Sequence, residues 1–248
     1  MAAVIDLNCD LGEGGDADAE LMPLISSVNI ACGAHAGDPA TMRATVQAAL
    51  RHGVAIGAHP GFADRAAFGR RELALTPAEI VSLVQAQIVA LCAVATREGA
   101  RVTHVKPHGA LYNLAARDAT VAAAVARAVA QVDASLCLYA LAGGQLLAAG
   151  HAHGLRVAAE VFADRSYQAD GSLTLRDRPG AVLADPTDAT AQVLRLVQHG
   201  VVRATCGVDV ALAADTVCLH GDGAGAVSFA RAIRTGLREA GVVLRALV

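Results

Sequence analysis

The sequence has no tryptophan, aromatic residues make up only 3% of it, and of its twenty basic residues Lys106 alone is a lysine. With so few large rings, the core must be filled chiefly by Ala, Val and Leu, a composition suited to closely packed layers of strands and helices. The formal charge of -3 and the lack of any Lys/Arg cluster interleaved with aromatics provide no field for a polyphosphate backbone, so nucleic acid is not an expected partner. The stretch Met1-Ala-Ala-Val-Ile-Asp6 lacks the basic segment and apolar run of a signal peptide. No uninterrupted apolar run reaches membrane-spanning length, so a soluble, cytoplasmic protein without a membrane partner is expected. The six cysteines (Cys9, Cys32, Cys92, Cys137, Cys206 and Cys218) form no CxxC pair, which favours reduced, mostly buried thiols over disulfides. A GxxxxGK[ST] phosphate loop is also missing, so a self-sufficient ATP site of that kind cannot be read here.

What is present is a regular alternation. The 248 residues are 54% hydrophobic and run, without a Pro/Ser-rich linker, low-complexity block or repeat, through short apolar segments and longer Ala/Leu-rich stretches. One domain over residues 1–248 is expected, an α/β fold of parallel strands joined by helices. Seven strands are predicted: Val4–Leu7, Val28–Ala31, Ala55–Ala58, Val102–Val105, Leu136–Ala140, Val157–Ala159 and Thr216–Leu219. Pro39–His52, Thr76–Gly99 and Pro186–Gly200 open on Pro or a capping residue and close at or near Gly, as helices do. Ser172–Arg176 and Val201–Ala213 read as hairpin insertions.

The polar residues cluster at one end of these strands. Asn8 and Asp10, Asn29 and His35, His59, Lys106 and His108, Glu160, and His220 and Asp222 all fall at or just past a predicted strand exit. Carboxyl ends of parallel strands converge on one face in barrels and open sheets alike, and the active site sits there.

Each segment carries a functional reading and a plainer one. Asp6, Asn8 and Asp10 alternate, so an extended backbone aims them to one side, where neighbouring carboxylates suit acid/base work or cation binding. The same residues also cap turns well. His35 lies in a Gly-rich loop fit for a small ligand, whereas Asp38-Pro39 is an N-cap signature. After His59, the loop carries Arg70 and Arg71, apt for a substrate carboxylate or for plain solvation. Lys106 stands out most. Where composition has turned every other cation to Arg, a retained Lys suggests a need for a compact ammonium, or for one whose pKa can be depressed. His104 and His108 have HxxxH spacing, but Pro107 argues against the helix that would make them a zinc pair. Glu160-Val-Phe-Ala-Asp164-Arg165-Ser-Tyr167 supplies a candidate general base and an arginine, or an ion-paired loop. Cys218-Leu-His220-Gly-Asp222 opens a helix whose N–H groups could receive an anion. His52, His151, His153 and His199 sit in or after helices and read as surface residues.

Taken together, DLNCDLGE, NIACGAHAGD, GAHPGF, VKPHGALYN, EVFADRSY and CLHGD resemble, in order, the motifs of the LamB/YcsF family, which comprises the 5-oxoprolinase A subunits. The resemblance covers Asp6 to Asp222 and implies a (β/α)-barrel, seven-stranded, of the glycoside hydrolase/deacetylase type. It further implies that 5-oxoproline, ATP and water yield glutamate, ADP and phosphate. ATP with Mg2+ would be held mainly through partner subunits B and C, with no tightly bound cofactor or metal in this chain; a homo-oligomer stays open. Under it, Asp10, Lys106, His108 and Glu160 are the expected catalytic residues. Asn8, Asn29, His35, His59, Arg70, Tyr112, Asn113, Arg165, His220 and Asp222 are the expected substrate contacts. One departure is that Gly61-Phe62-Ala63 replaces the family's usual aromatic and second proline, which leaves Asp64 without an assigned role. Two rivals stand beside this reading: a divalent-metal deacetylase using Asp10, His59, His104 and His108, and a non-catalytic lactam carrier.

Overall fold

The computed structural model describes residues 3–221 and 225–247. Strands β1 (Val4–Leu11), β2 (Ser27–Ala31), β3 (Ala55–His59), β4 (Val102–Val105), β5 (Cys137–Leu141) and β6 (Arg156–Phe162) pair in parallel in chain order. After an antiparallel hairpin, β7 (Val201–Arg203) with β8 (Asp209–Ala211), strand β9 (Thr216–Leu219) pairs with both β6 and β1, closing a seven-stranded parallel barrel. The two-residue β10 (Val243–Leu244) extends the sheet beside Val4 and Ile5.

Helices α1 (Asp18–Leu21), α2 (Pro39–His52), α3 (Pro77–Arg97), α4 (Gly109–Arg117), α5 (Ala119–Val132), α6 (Gln145–Ala152), α7 (Pro186–His199) and α8 (Ala226–Glu239) form the outer shell. Their ends are set by local chemistry. Asp38 accepts the Thr41 N–H at 2.8 Å ahead of Pro39, and α2 stops at Gly53, whose φ of 66° suits a residue without a side chain. Thr76 and Glu79 form a reciprocal capping box on α3. By length and hydropathy α3 could cross a bilayer, but here Ile80, Val84, Ile88, Leu91 and Ala95 make a buried stripe within the barrel shell, packed along α5.

All seven predicted strands form, and the hairpin over 201–213 is present. β1 and β6 run further than expected, because Asn8, Asp10 and Glu160 lie within them rather than beyond them. Ser172–Arg176 is not a strand of a regular hairpin: only single bridges form there, such as Tyr167 with Leu173. Backbone bonds from the Gln168 N–H to the Ser172 carbonyl (2.8 Å) and from the Thr174 N–H to the Ser166 carbonyl (3.0 Å) pair the segment briefly, and the ladder stops where the Thr174 carbonyl accepts from the Arg165 guanidinium at 2.5 Å.

Alternation along β1 sends Leu7, Cys9 and Leu11 into the apolar layer beneath the helices and Asp6, Asn8 and Asp10 into the barrel lumen. Barrel interiors are usually layers of branched aliphatics; this one is polar and hydrogen-bonded from strand to strand. At its base the Asp6 carboxylate accepts from Ser26 (2.5 Å), Thr216 (2.6 Å) and Ser27 (2.7 Å). Burial pushes the Asp6 carboxyl above its ordinary range, partly opposed by those hydroxyls. One layer up, Asn8 donates to Glu160 at 2.9 Å and to Thr216 at 2.8 Å, and Asn29 donates to Asn8 at 2.8 Å. His104 joins that layer through Nε2 at 3.0 Å from the Asn29 side-chain oxygen, and its ring stacks on Tyr139.

Gly57 on β3 makes room for this histidine, since a Cβ there would fall inside the His104 ring. Held by Asn29 and Tyr139, the ring cannot yield. Gly57→Ala is therefore expected to lower stability by about 3 kcal/mol, as overpacked cores do, seen as a lower urea midpoint at unchanged slope. An unchanged midpoint would show His104 free to move.

Candidate active site

At the carboxyl-terminal mouth of the barrel lies a cleft of about 210 Å3, open to solvent. Its floor is built around Lys106, the residue that leaves β4 with its backbone N–H still paired to Ala58 at 2.9 Å. The ammonium lies 2.9 Å from Asp10 Oδ1, 3.0 Å from Glu160 Oε1, 3.2 Å from Asn8 Oδ1 and 2.9 Å from Cys218 Sγ. Burial opposes its charge, but Asp10, Cys218 and Glu160 outweigh burial and hold the Lys106 pKa well above the ordinary value. The alternative of a depressed, proton-shuttling lysine is thereby corrected: a solvent-poor site lowers a lysine only when no carboxylate stands beside it. Asp10 in turn is held well below the usual carboxylate range, because His59 and Lys106 overcome its burial. Above Glu160 stands Tyr112, whose hydroxyl is pushed up by burial and by that carboxylate. Among the described residues, neither the Tyr112 hydroxyl nor Glu160 Oε2 completes a hydrogen bond, although both are buried.

One wall is a histidine cluster. His59 Nδ1 sits 2.7 Å from the Lys106 carbonyl, and His108 Nε2 sits 2.9 Å from that of Phe68. Their other nitrogens, His59 Nε2 and His108 Nδ1, face each other at 3.0 Å. Glu13 Oε1 lies 3.2 Å from His108 Nδ1 and 3.1 Å from His35 Nε2, and the His35 and His108 rings stack at 3.7 Å. Burial and the neighbouring His59 depress both His35 and His108 to about 3, so these two are neutral. Burial would also neutralise His59, but Asp10 at 3.4 Å, reinforced by Glu13, raises it instead. Glu13, His35, His59 and His108 each offer one ligand atom, all within 4.8 Å of one another, so these residues could hold a metal ion. His104 is not among them. The HxxxH pair that Pro107 argued against does not form: His104 points into the lumen one layer below, while His108, past Pro107, caps the cleft wall.

The rim is cationic and polar. Arg70, Arg165, Arg176, Asn113 and His220 line the cleft. Arg70 lies 5.0 Å over the Phe68 ring, and Arg165 is anchored by the carbonyls of Thr174 and Ala181. Asp164 accepts from His220 Nδ1 at 2.9 Å, which fixes the orientation of the ring. Asp164 is lowered, since His220 and Arg165 outweigh its burial.

Of the residues singled out from the sequence, Asp10, His59, Arg70, Lys106, His108, Tyr112, Asn113, Arg165 and His220 line the one cleft. Asn8, Asn29 and Glu160 lie beneath its floor, and His35 lies behind Glu13. Asp222 lies outside the described residues. Asp64 proves structural, capping a short turn through Ala67 and pairing with Arg71 at 3.0 Å. Tyr167 accepts the Phe162 N–H at 2.7 Å and is wholly buried. His52, His151, His153 and His199 are exposed, as expected. Sequence reasoning missed Glu13 and Arg176. Glu13 ends the same DLNCDLGE segment that carries Asp10 and could have been found there; Arg176 sits in a stretch with no distinguishing signal.

The sequence profile of the LamB/YcsF family matches residues 5–248. The 5-oxoprolinase A subunit from Geobacillus thermodenitrificans is 55% identical over 247 residues, covering 98% of this chain and 96% of that one. The crystal structure of a lactam utilization protein from Thermus thermophilus, 45% identical, superposes with a TM-score of 0.93 over 98% of this chain and all 100% of that one. A family 4 carbohydrate esterase from Streptomyces lividans, 12% identical, shares the fold with a TM-score of 0.53, over 99% of this chain and 93% of its own. A barrel common to these proteins, and near-complete coverage by similar relatives, place this chain in the LamB/YcsF family.

Proposed function

We propose that the protein is the lactam-opening component of an ATP-dependent 5-oxoprolinase, acting with partner subunits B and C. The observation that carries the reading is the cleft itself: a buried ammonium–dicarboxylate floor beneath a rim of arginines, in a chain whose relatives are named for this lactam. A five-membered lactam keeps its amide resonance and recloses readily, so it opens more easily once its carbonyl oxygen carries a phosphoryl group. With no phosphate loop in this chain, that transfer and the Mg2+–ATP are assigned to the partners.

In this scheme water adds to the ring carbon whose oxygen carries the phosphoryl group and passes a proton to Asp10. Asp10 suits the part better than Glu160: its side chain is 13% exposed and lines the cleft, whereas Glu160 is fully buried. Lys106 keeps Asp10 ionised and supplies positive potential where oxyanion charge develops. His220, oriented by Asp164, delivers the proton that the ring nitrogen needs as its C–N bond breaks. The acyl phosphate so formed takes a second water to give glutamate and phosphate. Arg70 and Arg176 receive the substrate carboxylate, and the Tyr112 hydroxyl, which lines the cleft, finds a partner in the bound ligand.

Four outcomes are expected. The chain mixed with B-like and C-like subunits should form glutamate from 5-oxoproline and ATP, while omission of any one should stop it; turnover unaffected by leaving this chain out would end the assignment. In that assay Asp10→Asn should lower kcat by about 10²- to 10⁴-fold, and Arg176→Ala should raise KM about tenfold with kcat largely kept. A variant that still binds 5-oxoproline but stalls after ADP release separates catalysis from mere carriage. Lys106→Met, which strands two buried carboxylates, should cost about 3–5 kcal/mol in urea unfolding.

A further inference from the structure

The protons around His59 and His108 can be placed by elimination. A backbone carbonyl only accepts, so His59 Nδ1 must carry the proton it donates to Lys106, and His108 Nε2 the one it donates to Phe68. With those protons placed, His108 Nδ1 carries a lone pair, and His59 Nε2 faces it across 3.0 Å, also 3.4 Å from Asp10 Oδ2, so the second nitrogen of His59 is where either a proton or a cation can be held. Glu13 Oε1 closes on the same point, 3.2 Å from one nitrogen and 3.7 Å from the other. Three potential ligand atoms thus converge. A single proton on one imidazole answers one of these contacts; a divalent cation answers all three.

The surroundings hold this arrangement rigidly. Phe68 adopts a φ of 52°, strained for a residue with a side chain, and in that conformation its carbonyl meets His108. A Cβ on Gly69 would lie 2.8 Å from His35 and 3.0 Å from the His108 ring, and one on Gly61 would lie 2.8 Å from His35 Nδ1. Neither ring can swing away. Imidazoles that bind metals characteristically donate their second N–H to a backbone carbonyl or carboxylate, which is the arrangement of both His59 and His108.

We propose that His59 Nε2, His108 Nδ1 and Glu13 Oε1 bind one divalent transition-metal ion in the cleft wall, with His35 a positioning residue that holds Glu13. Two imidazoles and one carboxylate suit Zn2+ and the related Co2+ and Mn2+ better than Mg2+, which prefers all-oxygen shells. When bound, such an ion polarises a carbonyl or acidifies a water.

The test is uptake by the full-length chain after chelator treatment, read without turnover, so its failure would leave the lactam assignment untouched. Zn2+ titrated calorimetrically should bind at one ion per chain, Co2+ should give a visible d–d absorption, and Zn2+ should raise the thermal midpoint. Glu13→Gln, at a partly exposed position tolerant of change, should weaken Zn2+ at least tenfold, and His108→Ala more. His151→Ala, on an exposed histidine of α6, should bind like the parent chain. A folded parent chain that takes up neither Zn2+ nor Co2+ stoichiometrically would overturn the proposal. So would undiminished affinity in Glu13→Gln and His108→Ala together, with far-ultraviolet circular dichroism confirming that both fold.

Discussion

The barrel and the cleft both depend on one ammonium. Lys106 stands between Asp10 and Glu160 with all its protons engaged, and without it two carboxylates would lie buried and uncompensated inside a parallel barrel. A guanidinium could not substitute. Its planar fork of five donors needs a wider and flatter set of acceptors than the four atoms gathered at 2.9–3.2 Å around this point. That is the physical reason a chain that otherwise uses arginine for every cation keeps its single lysine here.

The charge at Lys106 is distributed by neutral amides. Asn8 touches Lys106, Glu160 and Thr216, and Asn29 joins Asn8 to Asp10 and His104. A connected network of this kind fixes the lumen side chains in one arrangement. Because its members sit on strands rather than loops, the groups facing the cleft inherit that rigidity. The neighbouring histidines are bound in by the same logic from above, where glycines 61 and 69 and the Gln87 side chain on α3, bonded to both backbone groups of Gly61, lock the β3 exit loop.

Much of the frame was legible in the sequence, and in each case by a local rule. Short runs of three to five residues marked the strands, and Asp38-Pro39 and Thr76-Pro77 marked helix starts whose caps formed as read. The errors share a cause. Asn8, Asp10 and Glu160 looked like strand exits because polarity normally ends a buried strand, yet each lies inside one, paired across the lumen. Ser172–Arg176 looked like a strand by alternation, but its pairing ends after two backbone bonds, where the Thr174 carbonyl takes the Arg165 side chain, a contact that alternation cannot register.

By itself the sequence determined which residues carry charge and imidazole, where strands and helices begin, and that the polar residues gather at one end of the strands. These follow from composition and from interactions within a few residues. Only the tertiary structure decided which of them meet: that His104 turns down into the lumen while His108 turns out to Glu13, that Asp10 rather than Glu160 reaches the cleft, and that Lys106 is held charged rather than neutral. Those outcomes depend on barrel closure, which brings residues up to 210 positions apart within hydrogen-bonding distance, and on burial, which sets the cost of every charge left without a partner.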